Sequence, residues 1–159
     1  MPNCKVLTTP NKLYFNMRII KFRGKVEYPQ KYFGDKDILN GRWIVGDLHL
    51  NWCYPHIHID TKDKYPINPN TIGQFTGLHD KNGKEIYEGD IIRSFDSKGE
   101  PIIHHIIYDD EEAGFVAALK GSAKGDFGYG RFCQQWITEW EKEVIGNIHD
   151  DLGLLKTTN

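Results

Sequence analysis

The sequence predicts a mainly β fold with little helix: short strands arranged as a small barrel or sandwich. Three observations carry this. Turn signals recur along the chain, at Asn40-Gly41, Pro66 and Pro69, Asn82-Gly83, and Glu88-Gly89-Asp90. Several runs between them alternate apolar and polar residues at period two, or are apolar over a strand's length. The composition, 39% apolar, 13% aromatic and 26% charged, excludes a disordered chain, and 16 glycines with 7 prolines exclude a coiled coil.

Residues 1–16 hold two prolines, two lysines and no acids, and show no period. The pattern changes at Met17. Two readings fit: an arm or mis-called leader ahead of a start at Met17, or an ordinary N-terminus. MRIIKFRG (17–24) reads as a strand with Ile20 and Phe22 on one face and Lys21 and Arg23 on the other. A polar stretch (24–41) ends in the Asn-Gly turn. RWIVGDLHL (42–50) and residues 54–60 follow as strands, 61–70 as a turn region, and 72–76 as a short strand.

Asn82-Gly83 centres a tight turn, and Glu88-Gly89-Asp90 launches a strand at 91–95. Residues 102–108 are apolar on both faces apart from His104 and His105, which predicts a central strand. An acidic turn (109–112) leads to a strand at 114–119, and the glycine-rich stretch 121–130 to a loop. Segment 132–140 suits either state: Trp136 and Trp140 are spaced for a helix, Ile137 and Thr138 favour a strand. A strand at 144–148 and a short helical turn at 150–155 close the chain.

At 159 residues the chain is sized for one domain, burying roughly 70% of its unfolded surface. We expect a domain over 17–155, with halves at 17–77 and 78–155 and a tail at 156–159. Its net charge of −2 supplies no general field for nucleic acid or anionic lipid. No apolar run approaches the roughly 20 residues of a membrane span. Cys4, Cys53 and Cys133 form no disulfide framework, and the N-terminus lacks a secretory pattern, so a cytoplasmic location is expected.

Three segments stand out together: PINPNTIGQFTG (66–77), LHDKNGKEIYEGDII (78–92) and VIGNIHDDLGLL (144–155). The run 74–92 resembles the signature of the YopX-like family of phage and prophage proteins. MRIIKFRG and RWIVGDL resemble its opening strands, so the resemblance spans nearly the whole chain from Met17. His79 stands where that family commonly has Lys or another polar residue. The resemblance implies a phage-encoded protein located in the bacterial host, SH3-like barrel character in the C-terminal half, and self-association. It implies no reaction. On their chemistry the signature residues are turn and packing types. Gly77, Gly83 and Gly89 suit positive φ or close packing, and Asp80, Asn82 and Asp90 suit Asx-turns. Tyr87, beside Ile86, suits the core, and Gln74 suits a hydrogen bond to buried backbone. Thr76, Gly146 and Asn147 complete the set, which reads as a structural corner.

His56-Ile57-His58-Ile59-Asp60 is the sharpest chemical candidate. His56, His58 and Asp60 share one strand face, and two imidazoles with a carboxylate suit Zn²⁺ or Fe²⁺. The competing reading is a solvated face over a core formed by Ile57 and Ile59. Lys21, Arg23, Lys25 and Lys31, near Tyr28, Tyr32 and Phe33, form a basic stripe of the kind that binds single strands. Cys53 and Cys133 have no basic neighbours to activate them. The reading adopted is a non-enzymatic binding module for a host or phage protein, needing no cofactor. The alternatives are a metal-dependent enzyme using His56, His58 and Asp60, and a nucleic-acid-binding small barrel.

Overall fold

Alternation in the first strand organises the molecule. In the computed structural model, which describes residues 18–27, 40–50, 54–59, 63–119 and 132–155, β1 (Phe22–Lys25) lies inside a six-stranded antiparallel sheet. Its partners are β2 (Trp43–Leu50), β3 (Pro55–His58), β4 (Lys64–Pro66), β5 (Gly73–His79) and β6 (Glu85–Tyr87), in the order β4-β3-β2-β1-β5-β6. Phe22 turns to one face with Ile44, Leu48, Ile57, Tyr65, Ile67 and Ile72, the first core, in which Val26, Ile57 and Ile67 are fully buried. Gly24 points the same way, and a Cβ there would lie 2.3 Å from Ile67 Cγ2. Ile20, expected beside Phe22, precedes the strand and is exposed.

The sheet curls without closing. Val26 pairs with Ile67, the Glu27 N–H donates to the Pro66 carbonyl (3.0 Å), and the Asn68 N–H to the Lys25 carbonyl (2.9 Å). The end of β4 is thus brought back against β1. The turn expected over 61–70 therefore contains a strand. It has three residues, sits at the edge and ends in a proline whose carbonyl alone is needed, so local propensity gives no sign of it.

A second sheet has the order β10-β7-β8-β9, with β7 (Asp90–Phe95), β8 (Pro101–Asp109), β9 (Gly114–Leu119) and β10 (Glu143–Asn147), all antiparallel. β8 is central, as its two-sided apolar pattern predicts. The only regular α-helix among the described residues, α1 (Gln134–Glu139), covers this sheet with Ile137 and Trp136, which resolves 132–140 as helical. The second core gathers Ile86, Ile92, Ile106, Ala117 and Ile137. Two open antiparallel sheets with one short helix confirm the mainly β class. No helix among the described residues is long and apolar enough to cross a membrane.

Candidate functional site

The face of β1 opposite the first core carries Arg23 and Lys25, with Lys21 just before the strand, and it is covered by later segments of the chain. Each cation meets an acid there: Lys21 pairs with Glu85 (2.5 Å), Arg23 with Asp90 (2.6 Å) and Lys25 with Asp150. The described part of the basic stripe, Lys21, Arg23 and Lys25, is thus a row of cross-links; Lys31, Tyr28, Tyr32 and Phe33 lie outside the described residues.

Arg23 forms the centre. Its guanidinium lies 4.9 Å from the Trp43 ring and 4.8 Å from the Tyr87 ring, and Nη2 also donates to the Glu88 carbonyl at 3.2 Å. Asp90 is fully buried. Its Oδ2 accepts from the Tyr87 N–H (2.8 Å), and Oδ1 faces Arg23 and, at 3.5 Å, Asn147 Nδ2. Burial pushes the Asp90 carboxyl above its ordinary range; Arg23, the Tyr87 amide and Asn147 offset part of that. The Tyr87 hydroxyl donates to Glu85 Oε2 at 2.6 Å, and burial, then Glu85, raises its pKa. Trp43 Nε1 donates to Asp150 Oδ2 at 2.7 Å, and Lys25, then Trp43, holds that carboxyl low.

Around this centre a cleft of about 490 Å³ opens, lined by residues of both sheets. Trp43, Val45 and Tyr87 give it an apolar floor, and Lys84, Glu85, Asp150 and Asp151 rim it. Signature residues Tyr87, Asp90, Gly146 and Asn147 all line it. Gly146 packs on Asp151, whose Oδ2 would lie 2.6 Å from an added Cβ and accepts from the Asn147 N–H at 3.1 Å.

Other signature residues brace the frame. Asp80 Oδ1 accepts from the Asn82 and Lys84 N–H groups (2.8 and 2.9 Å), and Oδ2 accepts from Val144 N–H (3.1 Å), tying the turn to β10. Thr76 Oγ1 donates to the Ile86 carbonyl at 2.8 Å. Gly77, Gly83 and Gly89 have φ of 88°, 81° and 82°. Gln74 departs from expectation: its backbone carbonyl accepts from Glu88 N–H (2.9 Å), while its side chain lines a second groove with Arg18, Tyr108, Phe115 and Phe132. Among the described residues that side chain makes no hydrogen bond.

His56 and His58 stand on the outer face of β3, half-buried, with Ile57 in the core. Ile59, expected in the core, is exposed in the bend after the strand, and Asp60 lies outside the described residues. Among the described residues no three His, Cys, Asp or Glu side chains are arranged around a common metal position. The acidic turn is a capped hairpin end, with Asp109 Oδ1 accepting from Glu111 and Glu112 N–H groups. Cys133 precedes α1 and is half-buried, whereas Cys4, Cys53 and the 121–130 stretch lie outside the described residues.

Sequence reasoning missed Lys142. This lysine is 2% exposed, its Nζ donates to Ser94 Oγ at 2.8 Å and lies 3.7 Å from the Trp136 ring. Burial pushes its pKa down to about 8. His104, buried edge-on to the same ring, is pushed down to about 4 by burial and then by Lys142. No periodicity marks Lys142, since it lies in the short link between α1 and β10.

The family model described as YopX protein matches residues 21–156. The chain belongs to the YopX family. The matched span contains every signature residue and all ten strands of the described residues. The crystal structure of protein EF1440 from Enterococcus faecalis is similar at 26% identity over 87% of this chain and 99% of that one, with a TM-score of 0.48. No curated protein matches the chain. Within this YopX-family chain the signature falls into two physical groups: turn residues that hold the second half together, and seam residues that hold it against β1.

Proposed function

We propose that this YopX-family chain is a phage-type accessory protein of the bacterial cytoplasm, a non-enzymatic module that binds another protein in the cleft beside Trp43, Val45 and Tyr87. The observation that carries the reading is how the signature side chains are used. Asp80, Asp90 and Asn147 spend their hydrogen-bonding capacity within the fold, which suits a frame for a surface and not a reaction centre. The cleft combines an apolar aromatic floor with a charged rim, the usual anatomy of a protein contact. Of its lining charges, Glu85, Asp90 and Asp150 are already paired with Lys21, Arg23 and Lys25, which leaves Lys84 and Asp151, one of each sign, at the rim to meet a partner.

Val45 is 40% exposed on the cleft floor and makes no polar contact there, so Val45→Glu alters the surface while sparing the seam. Affinity capture from infected or lysogenic host cells should recover a specific protein with the native chain and lose it with Val45→Glu. Recovery of no specific protein, or equal recovery by both chains, rejects the reading. The same preparation titrated with single- and double-stranded nucleic acid at low salt should show no salt-dependent binding, because Lys21, Arg23 and Lys25 are already paired.

A further inference from the structure

The face that carries Arg23 and Val45 at the seam continues past it into solvent, and there it gathers histidines. β2 and β3 pair antiparallel with His49 opposite His56 and Asp47 opposite His58. Alternation turns Ile44, Leu48 and Ile57 into the first core, so Asp47, His49, His56 and His58 all project from the other face. Directly opposed Cβ atoms in such a pair lie about 5 Å apart, and diagonal ones about 7–8 Å. Two of the histidines meet: the His49 and His58 rings stack with centroids 4.1 Å apart and 27° between planes. His56 Nδ1 lies 2.8 Å from the Tyr54 carbonyl, which can only accept, so this hydrogen bond puts the proton on Nδ1 and leaves Nε2 as the nitrogen with a free lone pair.

We propose that His49, His56 and His58 form a surface site for a divalent transition metal such as Zn²⁺, with Asp47 as the neighbouring carboxylate. The set differs from the one read along the strand alone, because its third imidazole comes from β2, the neighbouring strand. Three imidazoles with a fourth position left to water is an established donor set for Zn²⁺. As the rings stand they do not surround one point. Metal binding at this site requires the His49–His58 stack to open by rotation about side-chain bonds. Of the charged groups flanking β3, Asp47 favours a bound cation, and Lys64, opposite His58 on β4, opposes it.

The test is a calorimetric titration of the full-length chain, without a histidine tag, with Zn²⁺ alone, repeated with Co²⁺ to read coordination from its visible spectrum. The expected result is one equivalent bound more tightly than about 0.1 mM. His49→Ala, His56→Ala and His58→Ala should each weaken binding by more than about tenfold, and His79→Ala, on β5, should leave it unchanged. Far-UV spectra matching the native chain show that a loss is not unfolding. Absence of saturable Zn²⁺ binding, or binding that survives in the His49→Ala/His58→Ala double variant, overturns the site. Neither outcome bears on the cleft beside Val45.

Discussion

Lys142 is the residue whose surroundings most constrain the chemistry of the fold. Its folded pKa of about 8 lies below the ordinary 10.5. Between those values the unfolded chain holds a proton that the folded chain lacks. Stability therefore rises as pH increases from about 8 toward 10, with a slope of at most about 1.4 kcal/mol per pH unit. Above that, the raised pKa of Tyr87 works the other way. His104, at about 4 against an ordinary 6.5, gives the matching acid limb, with stability lost as pH falls from 6.5 toward 4. Urea melts from pH 4 to 10 measure both limbs, and Lys142→Met should flatten the alkaline one. Asp80 permits a second test at this scale. Asp80→Ala removes acceptors from three backbone N–H groups, and urea melts should register a loss of about 2–4 kcal/mol.

Among the elements, those carrying their own pattern were legible in the sequence. β2, β7, β8 and both Asn-Gly turns follow from alternation and turn chemistry. β4 was not, because an edge strand of three residues ending in proline has no local signature. α1 was ambiguous because Ile137 and Thr138 favour strand; burial of Ile137 against the second sheet decides it. Glycines show the same division. Gly46 in β2 looks like an ordinary interruption, yet a Cβ there would lie 2.1 Å from the His58 carbonyl oxygen across the strand pair. Gly46→Ala should push β2 from β3 and cost about 2–4 kcal/mol by thermal or urea melt. Gly83→Asn, at φ 81° with open space around it, should cost less than about 1 kcal/mol in the same measurement.

For the whole molecule, the seam matters most, and it was the least legible feature. The alternation that puts Lys21, Arg23 and Lys25 on one face is plain in the sequence; that the face is covered, and by which acids, depends on strand order across the chain. Sequence alone therefore reads these cations as a solvated stripe, although Arg23 holds the buried Asp90. Arg23→Met leaves that carboxylate without its guanidinium and should cost about 3–5 kcal/mol in urea melts, whereas Arg23→Met with Asp90→Asn should recover part of the loss.

The spacing of these pairs along the chain has a consequence for biogenesis. Lys21 waits 64 residues for Glu85, and Lys25 waits 125 for Asp150. During synthesis the first strand leaves the ribosome long before its counter-charges exist, so β1 and β2 can pair and bury their apolar face while the other face stays open to water. The seam therefore closes in steps, at Glu85 and Asp90 first and at Asp150 later, each step opposed by the entropy of joining distant segments. A chain cut before Asp150 would keep both sheets' strands and the Lys21 and Arg23 pairs, and would leave only the Lys25 and Trp43 end of the seam open to water.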